Sequence, residues 1–438
     1  MSGSFLTLPG PSFRLLNATV PVSLLAHAPT TPDADGLVRV DIEVGDGTIS
    51  GIAKTGTGAP DGLPTADLDG GMVWPAFVDM HTHIDKGHIW PRRPNPDGSF
   101  DGALSAVAAD RAASWSAGDV KARMEFSLRC AYAHGTRILR THLDSSAPQH
   151  TISWPAFAEM RERWGGRIDL QAVSIMGINE LRDTAFFDGL VRTVAGHGGV
   201  LGTVTFMIPD LDDLLTSLFE RAGDAGLDVD LHVDETGDPD ARSLDAIAGA
   251  VKRTGFDRRV IAGHCCSLAV QDDARAARTI AAVADAGIGV VSLPMCNMYL
   301  QDRTPGRTPR WRGVTQLHEL AAGGVTTAVA SDNTRDPFYA FGDLDMVEVM
   351  REAVRIGHID HPVADIPGYV QTAPATLVGR PDAATLAPGG PADLVAFRAR
   401  NYSELLSRPQ NDRTVVHAGR TIDTTLPDYR ELDPLMEA

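Results

Sequence analysis

The chain has 438 residues, of which 43% are hydrophobic, enough for one large barrel or two to three ordinary domains of a globular protein. Its formal net charge of -18 argues against binding to nucleic acid and to anionic membrane surfaces. The four cysteines have no C-x-x-C spacing, and no apolar stretch approaches membrane-spanning length. We therefore expect a cytoplasmic protein without a disulfide framework.

The N-terminal segment alternates apolar and polar residues in short pieces. In residues 37–44 every second side chain is apolar, and a glycine-rich turn leads into residues 48–52, which predicts a β-hairpin. Short β segments return near the C-terminus, for example at residues 391–397. We predict that residues 1–72 and 380–438 form one small, discontinuous β-sandwich domain.

Between these termini, near-continuous apolar runs alternate with Ala-, Arg- and Glu-rich stretches of helical periodicity. The runs lie at 73–83, 136–144, 169–176, 200–206, 228–235, 259–266, 287–294 and 325–333. This alternation indicates parallel strands with crossover helices, so we predict an α/β fold with a distorted (β/α)8 TIM barrel over residues 73–379. A doubly wound sheet is the alternative, but the glycine-rich segment 196–202 precedes its strand and does not match a dinucleotide-binding turn.

Polar residues cluster at the C-terminal ends of four of these runs, where a (β/α)8 barrel carries its active site. These strand-end residues are His81, His83, His232, Glu235, His264 and Asp332. The two histidines of the first run are two residues apart and therefore point to the same face. Imidazoles on one face beside a carboxylate suit a divalent metal such as zinc or iron, so a metal centre is expected.

The chain resembles the amidohydrolase superfamily, and within it the cytosine deaminase-like branch. The resemblance covers essentially the whole length. It lies in residues 75–85, 140–144, 297–301 and 331–337, and in His232-x-x-Glu235. The family implies a distorted (β/α)8 barrel flanked by a β-sandwich.

By that resemblance one divalent metal ion, zinc or iron(II), is bound by His81, His83, His232 and Asp332. The catalytic residues implied are Glu235 as proton shuttle, His264 as polarising group and Asp332, which would also accept a hydrogen bond from the metal-bound water. Binuclear members bridge two metals with a carboxylated lysine at the end of strand four. No lysine lies there in this chain, whose four lysines are Lys54, Lys86, Lys121 and Lys252, and this favours one metal.

The implied reaction is hydrolytic deamination of a cyclic amidine or related nitrogen heterocycle. A metal-bound hydroxide would attack the amino-bearing carbon, and ammonia would leave. Asn333 takes the place of a substrate-contacting acid and Phe338 that of a pocket tryptophan, while Met176 lies where cytosine deaminases present a glutamine. These changes alter the donor and acceptor pattern of the pocket, which argues against cytosine itself.

Two alternatives stay open. An N-alkylammelide-type or cyclic-amide C–N hydrolase could use the same site, and a non-catalytic amidohydrolase-fold binding protein would be a different class. We favour the enzyme because every expected ligand position is filled. We expect a small heterocyclic substrate as partner and a homo-oligomer.

Several residues near the site have open interpretations. Lys86 could contact substrate or form an ion pair with Asp85. His142 is interpreted as a packed histidine, and the proline-rich segment 89–98 as a lid or a fixed wall.

Overall fold

The computed structural model describes residues 5–57, 62–409 and 412–437, so residues 1–4, 58–61, 410–411 and 438 of the predicted sandwich segments lie outside the described residues. The chain divides into two compact units. Unit 1 comprises Met1–Val78, Arg129–Ile138 and Asp345–Leu426. Unit 2 comprises Asp79–Leu128, Leu139–Leu344 and Pro427–Ala438.

Strands and helices alternate through most of the described chain. The strands are β1 (Phe13–Pro21), β2 (Leu37–Gly45), β3 (Thr48–Lys54), β4 (Thr65–Asp67), β5 (Val73–Pro75), β6 (Phe77–Thr82), β7 (Thr136–Asp144), β8 (Asp169–Ile175), β9 (Val204–Thr205), β10 (Val229–Val233), β11 (Val260–His264), β12 (Gly289–Ser292), β13 (Thr327–Val329), β14 (Leu394–Phe397), β15 (Arg413–His417) and β16 (Arg420–Thr421). The α-helices are α1 (Phe100–Ser114), α2 (Ala117–His134), α3 (His150–Trp164), α4 (Thr184–Gly196), α5 (Leu211–Ala225), α6 (Ser243–Thr254), α7 (Asp273–Asp285), α8 (Pro294–Leu300), α9 (Leu317–Ala322), α10 (Met346–Gly357), α11 (Ala373–Leu377), α12 (Tyr402–Ser407) and α13 (Asp433–Met436).

Unit 1 holds two four-stranded sheets, with strand orders β3-β2-β1-β4 and β16-β15-β14-β5. The predicted hairpin is confirmed, since β2 and β3 pair antiparallel from Val40–Lys54 to Gly45–Thr48. The alternate apolar side chains of β2 are buried, as the period of two requires of a strand with one face on a core.

The α/β character is confirmed in unit 2, where β9 to β13 form a parallel sheet in the order β13-β12-β11-β10-β9. A second sheet has the order β6-β7-β8. Isolated parallel bridges join Thr82 to Asp332 and Val173 to Val200. Each of the eight apolar runs contains a strand.

The first apolar run differs from the prediction because it holds two strands that belong to different sheets. β5 pairs antiparallel with β14, whereas β6 lies beside β7. Pro75 ends β5, and a proline has no amide hydrogen to continue a ladder. The next amide, of Ala76, donates to the carbonyl of Asp393, and that of Phe77 to the carbonyl of Gly135.

The crossover helices bury one apolar face each. Helix α5 buries leucines at helical spacing, and it is followed by Gly226, whose φ of 65° suits a glycine cap. Helix α7 buries its apolar face in the same way, with Ile280 and Val283 among its buried residues. Within the described chain, no helix is long and apolar enough to cross a membrane.

Candidate active site

The six predicted strand-end residues lie together in unit 2. His81 is on β6, His232 is on β10, and Asp332 follows β13. The Nε2 atoms of His83 and His232 are 3.2 Å apart. Asp332 Oδ1 lies 3.2 Å from His83 Nε2 and 3.6 Å from His81 Nε2. All four side chains are buried.

This cluster fits a divalent cation. The ligand atoms of His81, His83 and Asp332 lie within 4.8 Å of one another. Both carboxylate oxygens of Asp332 and both ring nitrogens of His81 are buried without a hydrogen-bond partner among the described residues. Buried polar atoms normally have a hydrogen-bond partner, so this convergence of unpartnered oxygen and nitrogen atoms points to a bound cation as the missing partner.

The electrostatics of the cluster agree with that interpretation. Burial and then the neighbouring imidazole of His142 lower the pKa of His81 well below its usual value, which leaves a neutral ring with a lone pair to offer. Burial raises the pKa of Asp332 to about 7. A bound cation would oppose that shift, because it favours the ionised carboxylate.

His142 lies closer to the cluster than its interpretation as a packed histidine suggested. Its ring centroid is 4.0 Å from that of His81 and 4.7 Å from that of His232, and these three can offer ligand atoms to one ion. His142 lies two residues before the end of the second apolar run, close to the strand-end position of the other site histidines, and that position could have indicated it from the sequence.

Glu235 and His264 are linked by Asn297, a residue for which no role was predicted. Asn297 Nδ2 donates to Glu235 Oε1 at 3.1 Å and lies 2.9 Å from His264 Nδ1. The distance from His264 Nδ1 to Glu235 Oε1 is 3.3 Å. Burial, followed by the nearby Asp332, raises the pKa of Glu235 well above its usual value, so this carboxyl can hold a proton near neutral pH.

Two of the site residues have left-handed backbone conformations. The φ angle is 69° at His264 and 68° at Asp332, a region that non-glycine residues rarely adopt. The amide of Asp332 donates to the carbonyl of His81 at 2.9 Å, which holds this turn against β6. Strained conformations of this kind concentrate at functional sites.

The site opens into a cavity of about 370 Å³ within unit 2. His83, His232, Glu235 and His264 contribute to its wall. The three predicted substrate-contacting residues also line it: Met176, Asn333 and Phe338. Asn333 Nδ2 donates to Asp336 Oδ2 at 2.6 Å, which fixes the orientation of that amide.

The segment 89–98 is anchored by polar contacts. Arg92 pairs with Asp110 at 2.9 Å and with Asp119 at 2.6 Å, and Asn95 donates to the carbonyl of Pro337 at 3.0 Å. These bonds favour a fixed segment over a mobile lid.

In unit 2, strand-end histidines and an aspartate surround one cavity of an α/β fold. This arrangement is typical of metal-dependent hydrolases. A model of the Amidohydrolase family matches residues 65–125 and 131–423, and the chain belongs to this family.

The chain is 60% identical over 439 residues to a pterin deaminase from Rhizobium rhizogenes, a match that covers 100% of both proteins. It is 25% identical over 294 residues to the N-isopropylammelide isopropyl amidohydrolase of Pseudomonas sp. strain ADP, which covers 64% of this chain and 68% of that protein. The predicted superfamily and the predicted class of hydrolytic deaminase are confirmed.

Among solved structures, a 5-methylcytosine deaminase from Klebsiella pneumoniae is similar with a TM-score of 0.82 and 22% identity. That match covers 95% of this chain and 98% of the other. An N-isopropylammelide isopropylaminohydrolase from Burkholderia multivorans has a TM-score of 0.73 at 24% identity, with 94% and 97% covered. These likenesses establish a shared fold.

Proposed function

We propose that the protein is a metal-dependent hydrolytic deaminase of pterin-type heterocycles, which replaces the ring amino group with an oxo group and releases ammonia. The observation that carries this proposal is the full-length similarity, at 60% identity, to a pterin deaminase. A cavity of about 370 Å³ falls within the usual range for small-molecule sites.

In this proposal His81, His83, His232 and Asp332 hold one divalent cation, zinc or iron(II). When bound, the cation supplies a hydroxide nucleophile by lowering the pKa of a bound water toward neutrality. The three imidazoles and one carboxylate suit either metal. Elemental analysis of the purified protein decides between them.

Glu235 acts as the general acid and base. Its raised pKa lets the carboxyl hold a proton, which it gives to the ring nitrogen beside the amino-bearing carbon. The carboxylate then takes the proton of the added hydroxyl group, which becomes the oxo group, and gives it to the departing amine. The amide of Asn297 fixes the carboxyl through its bond to Oε1. General acid–base catalysis depends on such positioning.

His264 stabilises the oxygen on which negative charge develops. Asn297 Nδ2 donates to Nδ1 of this ring at 2.9 Å, so the ring proton resides on Nε2. That Nε2 atom is buried and has no hydrogen-bond partner among the described residues. A preorganised donor of this kind favours the transition state over the ground state.

Asn333, Phe338 and Met176 contact the substrate ring in this proposal. Phe338 offers an aromatic face, Met176 an adaptable apolar wall and Asn333 a fixed amide. The apolar surface suits the faces of a planar two-ring heterocycle.

The finer architecture belongs to the same proposal. We infer that unit 2 closes as a distorted (β/α)8 barrel, which the bridges Thr82–Asp332 and Val173–Val200 support. We further propose the domain bounds 73–379 for the barrel and 1–72 with 380–438 for a β-sandwich. The cytoplasmic location and the homo-oligomer stay predictions.

C–N hydrolysis of an N-alkylated triazine is a second candidate, because the chain shares 25% identity with an N-isopropylammelide isopropyl amidohydrolase. The product separates the two, since that reaction releases an alkylamine. The non-catalytic alternative is not retained, because the full-length relative is an enzyme.

The test is ammonia release from pterin, cytosine, 5-methylcytosine and N-isopropylammelide, measured with the metal content of each preparation. We expect ammonia from pterin and none from N-isopropylammelide. Fully metal-loaded protein that releases no ammonia from pterin would contradict the proposed function.

A further inference from the structure

Lys86 places a positive charge beside the candidate active site. No other described residue forms an ion pair with this charge. The residue is 6% exposed and lines the cavity that contains Glu235 and His264. Among the described residues its ammonium group has no hydrogen bond and no ion pair. Its contact is with the ring of Phe338, whose centroid lies 4.8 Å from Nζ.

Lys86 acts electrostatically on the carboxylates of Asp85, Glu235, Asp332 and Asp336, but among the described residues none of them forms a hydrogen bond or ion pair with its ammonium group. Asp85 Oδ1 is buried without a hydrogen-bond partner. Asp85 Oδ2 accepts from the amide of Asp144 at 2.8 Å and from Ser153 Oγ at 3.1 Å, and the ion pair with Asp85 considered from the sequence does not form. Asp336 accepts from Asn333 Nδ2 at 2.6 Å and from backbone amides. The charge of Lys86 is therefore directed at the cavity.

An unpaired ammonium group in a buried position is costly, because it loses water without gaining acceptors. The aromatic face of Phe338 offsets part of this cost but accepts no conventional hydrogen bond. A second cation lining the cavity, Arg111, donates to Asp144 at 2.7 Å and is already paired. Lys86 is thus the cation that a ligand acceptor would satisfy.

We propose that Lys86 is a specificity-determining residue, whose Nζ donates a hydrogen bond to the oxo oxygen of the substrate ring. This inference rests on the proposed function, since a pterin carries an oxo group two ring atoms from its amino-bearing carbon. An ammonium group has three donors and no acceptor. It therefore favours a carbonyl oxygen and disfavours an amino group at the same ring position.

The same contact assists the reaction. When hydroxide adds to the amino-bearing carbon, negative charge develops on the adjacent ring nitrogen and is shared with the conjugated oxo oxygen until Glu235 has protonated that nitrogen. A buried ammonium beside that oxygen stabilises this charge more than it stabilises the neutral ring. Lys86 thus acts at one end of the amidine–carbonyl unit, and Glu235 and His264 act at the other.

The experiment compares two substrates that differ only in the oxo group, pterin and 2-aminopteridine. Lys86→Met keeps the length of the side chain and removes its charge. We expect kcat/KM for pterin to fall by about 10- to 100-fold, the range of a charge-assisted hydrogen bond, with less than about a threefold change for 2-aminopteridine. Lys54→Met, at an exposed lysine of β3, should change neither value.

Equal losses on both substrates, or unchanged turnover of pterin, would overturn the inference. Metal content and the circular dichroism spectrum show whether the variant has kept its site and its fold. If Lys86→Met does not fold, Lys86→Gln, which retains a neutral donor, should give a smaller loss confined to pterin.

A binding measurement separates this inference from the proposed function. Wild-type protein that deaminates no pteridine would contradict the function and leave the contact testable by fluorescence titration with lumazine, the dioxo product. Lys86→Met should weaken lumazine binding by about 10-fold or more. Unchanged lumazine binding would refute the contact with Lys86.

Discussion

The side-chain amide of Asn297 serves two functional groups at once. One hydrogen of its Nδ2 points to Glu235 and the other to His264, with heavy-atom distances of 3.1 and 2.9 Å. In the proposed mechanism this arrangement gives the carboxyl and the imidazole different tasks, since the first would hold a proton and the second would present an N–H. Two titratable groups with one shared neighbour can thus supply both acid–base and electrostatic assistance.

The role of Glu235 is tested by Glu235→Gln, which keeps the shape of the side chain and removes its proton transfer. We expect kcat for pterin to fall by about 10²- to 10⁴-fold, the usual contribution of a general acid–base group. Metal content should stay at the wild-type level, because Glu235 is outside the proposed ligand set. Stopped assays of ammonia release and elemental analysis give the two values.

Glu319→Gln is the matched control, since Glu319 is exposed on α9. It should match wild type in both measurements. Turnover of Glu235→Gln within about twofold of wild type, below the 10² expected of a general acid–base group, would show that another group carries the proton.

The limits of prediction from sequence are visible at Asn297 and His142. The run 287–294 predicted a strand, but Asn297 reaches Glu235 only because helix α8 begins directly at Pro294, a residue type favoured at helix starts. The ring of His142 lies 4.7 Å from that of His232, and this proximity cannot be inferred from two residues that are 90 positions apart in the sequence. The other residues of the cluster could be predicted from their positions at strand ends, because parallel strands bring their C-terminal ends to one edge of the sheet.

At the scale of elements, Asp345 joins the start of α10 to β15 within unit 1. Its side chain accepts from the amide of Val347 at 2.9 Å as an N-cap, and from both Nη atoms of Arg413 at 2.8 and 2.6 Å. Burial raises the pKa of this carboxyl, but Arg413 and the other partners outweigh burial and lower it from 3.8 to about 2. The carboxylate therefore stabilises the folded state.

Asp345→Asn keeps the capping side chain and removes the charge. We expect a loss of about 2–3 kcal/mol in the free energy of unfolding at neutral pH, since the buried ion pair between Asp345 and Arg413 is lost. Because the folded pKa is lower than the unfolded one, this contribution is complete above pH of about 4 and is lost as the pH falls toward about 2. Urea unfolding of wild type and variant at pH about 7, where the charge contribution is complete, and at pH about 3, where it is partly lost, measures this difference.

The control is Asp183→Asn at the exposed N-cap of α4. Asp183 accepts from the amide of Phe186 and, within the described ranges, forms no bidentate ion pair with arginine. The free energy of unfolding of this variant should equal that of the wild type at both pH values. A difference between Asp345→Asn and wild type that is equally large at low and neutral pH would show that packing, and not charge, causes the loss.

At the scale of the whole molecule, the candidate metal centre joins segments that are far apart in sequence. His81 and Asp332 are separated by most of unit 2, yet their side chains approach within 3.6 Å. A ligand that binds only the folded state stabilises it, by about 2.7 kcal/mol when its free concentration is 100 times Kd. The proposed cation should therefore stabilise the fold as well as serve the reaction.

Removal of the metal should accordingly lower Tm in the wild type by several degrees, since about 1 kcal/mol corresponds to about 2–4 °C in a large domain. In His232→Ala, which lacks one proposed ligand, chelator should change Tm little, and the metal content should be reduced. His27→Ala, at an exposed histidine of unit 1, should respond to chelator like the wild type. Scanning calorimetry with and without chelator gives these values.

A full chelator response in His232→Ala would remove that residue from the ligand set. Glu235→Gln, in contrast, should respond to chelator like the wild type, because its expected defect lies in proton transfer.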